Sequence, residues 1–258
     1  MSGRAPVIAL CMVAILVGSS LYGTVSKVSP FSLPIGTVVL DAGHGGHDPG
    51  ATASWQWDEP VYLQEKAITL DLVRRTSDIL RTALADIDVV LTRDSDTYMA
   101  LQDRADVAAK LNPGVGKSIV FVSVHANSSP SEEPSGFEVL VKQTDKRLRF
   151  LDAQVPDWAI ARFANQTASE LNRLLNRENL MFATAMREQM AKSFPQARDR
   201  GVKEQDVWVL NASKVPSVLV EVGFISNSDD AYLMTQQTWL DRMANTLAAG
   251  ILAYINPY

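Results

Sequence analysis

The segment Ser118 to Val124 (SIVFVSV) constrains this chain more than any other, because it is nearly all apolar and shows no alternation. A strand with one wet face alternates polar and apolar residues. One covered on both faces does not, and such strands belong to sheets packed between helices. Thr37–Leu40 and Ser217–Val222 have the same character, and shorter strands are expected at Val89–Thr92 and Gly136–Val141. Between them lie helical stretches. One is expected to start near Asp58 to Pro60, where an acidic cap and an early proline agree, with Leu63, Ala67, Leu70, Val73, Leu80 and Leu84 at three-, four- and seven-residue intervals. Leu101–Leu111 reads as a second helix, Pro156–Phe194 as helix in more than one piece, and Asp241–Ile255 as a closing helix. Strands alternating with helices predict an α/β fold: one domain over residues 36–258, with a mostly parallel sheet flanked by helices on both faces.

The first residues differ from the rest. Ala5 to Gly18 is an unbroken apolar run behind a single positive charge, Arg4, which reads as a secretion leader. Cleavage after Ser20 would satisfy a small-x-small rule through Gly18, and the stretch extended to Val25 is long enough to span a bilayer. Residues 1–26 are therefore a signal peptide or an N-terminal membrane anchor acting through residues 5–25, and residues 27–35 a linker. Both readings export the domain to the periplasm or cell envelope. Cys11, the single cysteine, falls in this leader, so the domain has neither disulfide nor thiolate. A formal net charge of -5 without a Lys/Arg block makes nucleic acid an unexpected partner.

The informative polar residues converge. Thr37–Leu40 runs into the glycine-dense loop Asp41–Gly50, which carries His44 and His47; the central run ends at His125; Ser217–Val222 carries Glu221. In parallel sheets, ligands bind beyond the carboxyl ends of the strands. Glu65, early in the helix after the loop, shares a stripe with Val61, Ile68 and Leu72, where a carboxylate needs a cation or a partner. His44, Glu65 and His125 thus offer the three N and O ligands of a hydrolytic metal site. Each alone has a plainer reading, as a hydrogen-bonded loop histidine or a solvated helix charge. His47, behind Gly45 and Gly46, is expected to face solvent or substrate instead of a metal. Glu221 lies within PSVLVEVGFI, where desolvation would raise its pKa and suit it to move protons. The alternative is a structural pair with Arg93 or Arg200. There is no G-x-S-x-G elbow and no H-E-x-x-H helix.

The motifs VVLDAGHGGHDPGA (Val38–Ala51), the Glu65 helix, Leu91-Thr-Arg93, SVHANS (Ser123–Ser128), Arg200-Gly-Val-Lys203 and PSVLVEVGFISN (Pro216–Asn227) resemble, in family order, the zinc-dependent N-acetylmuramoyl-L-alanine amidases of the Amidase_3 type. The resemblance implies Zn2+ held by His44, Glu65 and His125, with Glu221 catalytic. It also implies peptidoglycan as substrate, cut at the amide between N-acetylmuramic acid and L-alanine of the stem peptide during wall remodelling or daughter-cell separation. A non-catalytic peptidoglycan-binding protein or a zinc peptidase acting on stem peptides are the competing readings. Ala109-Lys110 departs from the family's Ala-Asn pair, a change expected to touch local packing only. The stretch from Asp157 to Asn176 is extra length between core motifs. In some members of that family a helix crosses the site until a partner protein removes it, which makes this stretch a candidate, with Glu170 or Glu178 able to cap the metal. A plain surface helix is the favoured reading.

Overall fold

A computed structural model describes residues 29–152 and 155–256 of the chain, so the expected leader lies outside the described residues. The elements run β1 (Ile35–Ala42), β2 (Thr52–Gln56), β3 (Pro60–Gln64), α1 (Glu65–Ala83), β4 (Asp88–Leu91), α2 (Leu101–Lys110), β5 (Ser118–Asn127), β6 (Phe137–Lys142), α3 (Asp157–Phe163), α4 (Ala168–Ser193), β7 (Asp199–Gln205), α5 (Trp208–Ala212), β8 (Ser217–Phe224), α6 (Ser228–Met234) and α7 (Gln237–Ile255). Six strands form one sheet in the order β4-β1-β5-β8-β6-β7. The first four are parallel, β6 runs against β8, and β7 follows β6 in parallel. Strand β5 sits inside, and its residues Ser118 to Val124 are all buried, as the unbroken apolar run requires.

Helices cover both faces. Ile68, Leu72, Phe182, Met186, Leu247 and Ile251 from α1, α4 and α7 share a core with Val38, Val120 and Val220 on one side. On the other, Ala108 of α2 and Val209 and Leu210 of α5 pack against Val39, Phe121 and Leu219. The predicted α/β fold, mostly parallel with helices on both faces, is the observed one.

Two expectations need correction, and one candidate is set aside. The helix expected from Asp58–Pro60 begins at Glu65; residues 52–64 form an antiparallel β2–β3 hairpin. Its alternation is plain in hindsight, since Ala53 and Leu63 face the core while Ser54 and Tyr62 face out. The linker expected over 27–35 is partly packed: Phe31 is fully buried against Phe150 and Phe163. The stretch Asp157–Asn176 does not cross the metal-ligand edge. Arg162 of α3 donates to Ser118 Oγ at 2.7 Å, which places α3 where β5 starts, at the end of the sheet opposite His125. Glu170 closes the first turn of α4 in a capping box with Thr167, and Glu178 accepts from Ser32, Arg177 and Tyr254. Neither caps a metal.

Candidate metal centre

Three strands end together. β1 delivers the loop with His44, β5 carries His125 and β8 carries Glu221, with His125 and Glu221 directly opposite in register. Adjacent strands lie about 4.8 Å apart, so in-register side chains of one pleat direction are neighbours. Glu65 arrives as the first residue of α1, just beyond the hairpin.

The ligand atoms of His44, Glu65 and His125 lie within 4.8 Å of one another, and among the described residues this is the group that could hold a metal ion. Glu65 stands between the two rings. His125 Nδ1 is 2.8 Å from Glu65 Oε1 and His44 Nε2 is 3.1 Å from Oε2, while the backbone N–H groups of Ala126 and Ala51 donate to the same oxygens. The other nitrogen of His44, Nδ1, donates to Asp48 at 2.8 Å. That contact fixes the ring and leaves Nε2 facing the centre, the usual orienting role of a carboxylate behind a metal-binding histidine. Two neutral imidazoles and a carboxylate suit a borderline cation such as zinc. Glycines make room: a Cβ at Gly43 would stand 2.4 Å from His125 Cε1, and one at Gly50 (φ +66) would meet Glu65 Oε2 and His44 Cδ2 at 2.6 Å each.

The charges respond to this crowding. Burial would lower the pKa of His44, but its bonds to Glu65 and Asp48 outweigh that and raise it to about 9. Burial would raise Glu65, yet the two histidines hold its carboxyl well below the ordinary carboxylate range. Glu221 is the exception. Burial pushes its carboxyl up to about 7, against the opposing charge of His125, and its Oε2 is shut from solvent without a hydrogen-bond partner. An orphaned acceptor of this kind costs about 1–3 kcal/mol, a cost more often tolerated at functional sites than elsewhere.

Neither arginine considered for Glu221 pairs with it. Arg200 donates to Glu138 at 2.8 Å, and Lys203 bonds the same carboxylate. Arg93 spends its guanidinium on the carbonyls of Ala42, Gly43 and Lys66, at 2.9, 2.8 and 2.8 Å. Arg104 completes the clamp, donating to Ala42 O, to His44 O and, at 2.8 Å, to Asp41 Oδ1. Thr92 and Ser123 satisfy the rest of the Asp41 carboxylate at 2.6 Å each. This buried network holds His44 at φ 61, the one positive φ among described non-glycine residues. Asp41, Asp48 and Arg104 did not stand out in the sequence, where their signal was only charge beside an apolar strand. His47 is exposed, and its ring lies 4.1 Å from that of Tyr98, outside the ligand group.

Residues 38–253 match the family described as N-acetylmuramoyl-L-alanine amidase, Amidase_3. The chain is 30% identical over 218 residues to the N-acetylmuramoyl-L-alanine amidase LytC of Bacillus subtilis (strain 168), a match covering 84% of this chain and 35% of LytC. It is 32% identical over 219 residues to the endolysin of Bacillus phage SPP1, covering 85% of this chain and 66% of the endolysin. The chain thus spans from about a third to two-thirds of the length of these curated relatives. Among solved structures, the catalytic domain of CwlV, an N-acetylmuramoyl-L-alanine amidase from Bacillus (Paenibacillus) polymyxa var. colistinus, superposes with a TM-score of 0.64 at 27% identity, covering 85% of this chain and 98% of that one.

Proposed function

The chain belongs to the Amidase_3 family, and from that premise we propose that it is a zinc-dependent N-acetylmuramoyl-L-alanine amidase. Its substrate on this reading is peptidoglycan, cut between the lactyl carbonyl of N-acetylmuramic acid and the L-alanine nitrogen. The observation that carries the reading is the pairing of a complete ligand group with a poised acid beside it. His44, Glu65 and His125 converge within 4.8 Å, and Glu221 next to His125 keeps an unpartnered Oε2.

His44, Glu65 and His125 would hold the ion. When bound, zinc supplies Lewis acidity at the scissile carbonyl and makes water a better nucleophile near neutral pH. The protein supplies the rest. Asp48 keeps the His44 ring oriented, and the Arg93–Arg104 clamp keeps its backbone in place. Glu221 Oε2 takes the proton released as water attacks the carbonyl. It returns that proton to the alanine nitrogen as the C–N bond breaks, so the free amine leaves neutral and Glu221 is regenerated.

The same proposal places the domain outside the cytoplasm, with residues 1–26 as leader or anchor. The described chain enters at Ser29, at the amino end of the strands, where Arg162 binds Pro30 O. An anchored chain would therefore turn its metal edge away from the membrane and toward the wall. Wall remodelling or daughter-cell separation is the role we assign. An activator, if one acts, must do so otherwise than by displacing α3, which lies far from the site.

Digestion of purified sacculi tests the activity. Free peptides beginning with L-alanine, lost on chelation and restored by zinc, are the expected products. Peptides cut internally would instead indicate a peptidase, and no release would indicate a binding protein.

A further inference from the structure

We propose that the β2–β3 hairpin is a glycan subsite that holds the sugar strand of the substrate a few rings from the cleaved amide; this rests on the amidase reading above. The hairpin is continuous with the metal centre. Its base is joined to Glu65, whose N–H donates to Ala51 O at 2.9 Å, while Ala51 N donates back to Glu65 Oε2. From there the strands run outward, and Trp55 pairs with Val61, four residues ahead of Glu65. At about 3.3 Å per residue the indole stands roughly 13 Å along the hairpin from that ligand.

The hairpin bears a shallow depression of about 290 Å³, lined by Ser54, Trp55, Gln56, Pro60, Val61 and Tyr62. A sugar ring has an apolar face of C–H groups and a rim of hydroxyl and acetamido groups. On the outward face of the hairpin Tyr62 and Pro60 offer ring surface for the face, and their cross-strand partners Ser54 and Gln56 offer donors and acceptors for the rim, while Trp55 and Val61 point to the core side. The tyrosine is 62% exposed. The tryptophans are already fixed. Trp55 Nε1 donates to Ile225 O at 3.2 Å and Trp57 Nε1 to Ser228 Oγ at 3.3 Å, with the two rings 16° from parallel and Tyr232 edge-on to Trp57. These rings anchor the inner side of the hairpin, so the outward face that carries Tyr62 is held in advance and loses little entropy when a ligand arrives. Ile225 lies four residues beyond Glu221, so the hairpin is braced just past the end of the strand that carries the proposed acid.

Charge favours sugar over stem peptide. The hairpin tip carries Asp58 and Glu59, both exposed, which repel the carboxylates of a stem peptide but not an uncharged N-acetylhexosamine strand.

Binding of a β-1,4-linked N-acetylglucosamine tetramer to the metal-free full chain tests the site without relying on turnover. The backbone N–H signals of Ser54, Gln56 and Tyr62 should shift on titration. Tyr62→Ala, at an exposed ring, should weaken binding about tenfold, and Tyr62→Phe should restore it. In the zinc-loaded protein, Tyr62→Ala should raise KM for sacculi while leaving kcat on a single N-acetylmuramoyl-peptide unchanged. Absence of tetramer binding by the folded wild-type chain, or equal binding by Tyr62→Ala, overturns the proposal. So does a free stem peptide that shifts the hairpin signals where the tetramer does not. Tetramer binding without any peptide release from sacculi would leave the subsite standing and sink the amidase reading instead.

Discussion

Glu178 and Glu221 both sit inside this molecule, at opposite ends of its sheet, and their surroundings differ in kind. At the amino end, Glu178 accepts from Ser32 Oγ at 2.7 Å, from Arg177 at 2.8 Å and from the Tyr254 hydroxyl at 2.9 Å. Both oxygens are used, and the carboxylate ties the incoming chain to α4 and the closing helix. At the carboxyl end, Glu221 has an oxygen without a partner and a carboxyl raised to about 7 by burial. The fold satisfies a buried acid where the acid is structural. It leaves one unsatisfied beside three convergent metal ligands. That contrast supports the proposed working end independently of any motif.

The largest expected effect would come from breaking the ligand group. His44→Ala or His125→Ala should lose zinc and activity together, as measured by metal content beside peptide release from sacculi. Retained zinc in either variant would remove that histidine from the centre. Glu221→Gln comes next. It should keep zinc and fold yet lower turnover by about 100- to 10,000-fold, the usual scale for losing a general acid–base group. Zinc lost from this variant would make Glu221 a ligand instead.

Smaller effects sharpen how the centre is tuned. Asp48→Asn disturbs the group that orients His44 and should weaken zinc binding by about 10- to 100-fold, read by competition with a chelating dye. Undiminished affinity would show that the Arg93–Arg104 clamp alone suffices. In the metal-free protein His44 titrates at about 9, so below that pH zinc must displace its proton. Affinity should therefore climb about tenfold per pH unit for each proton displaced between pH 6 and 9, with protons released into weakly buffered solution. The sign for stability is opposite. A raised histidine contributes fully below its unfolded value of 6.5, and the contribution fades as pH rises through about 9. The metal-free protein should lose Tm over that range. Flat affinity and constant Tm would mean that His44 is neutral throughout.

Much of this end was legible in the sequence because unbroken β-branched runs locate central strands, and His44, His125 and Glu221 follow or end such runs. The hairpin was not, since Asp58 and Pro60 imitate a helix start and Leu63 happens to stand four residues before Ala67 and seven before Leu70. Strand β7, DRGVKEQ, escaped notice because an edge strand with half-exposed residues need not alternate. The clamp of Asp41, Arg93 and Arg104 was invisible for another reason: charged residues read as solvated until the fold reveals three loop carbonyls aimed at them. Phe31 likewise becomes core only through partners more than a hundred residues away.

The smallest effect on activity, and the sharpest test of the contrast, is the matched pair Glu178→Gln and Glu221→Gln followed by thermal unfolding. In Glu178→Gln one accepting oxygen becomes an NH2 group that faces a donor, either the Ser32 hydroxyl and Arg177 or Tyr254. A broken charge-assisted contact of this sort costs about 1–3 kcal/mol. For a domain of this size each kcal/mol lowers Tm by about 2–4 °C. Turnover and zinc content at 25 °C should stay within about twofold, because no contact of Glu178 reaches the ligand group. Glu221→Gln should behave in reverse. A carboxyl raised from 4.5 to about 7 favours folding fully below 4.5 and loses that contribution as pH rises through 7. The metal-free glutamine variant should therefore match wild type at pH 4 and exceed it in Tm at pH 8. If Glu221→Gln instead lowered Tm at pH 8 as Glu178→Gln does, Glu221 would be a satisfied structural acid and the distinction between the two ends would collapse.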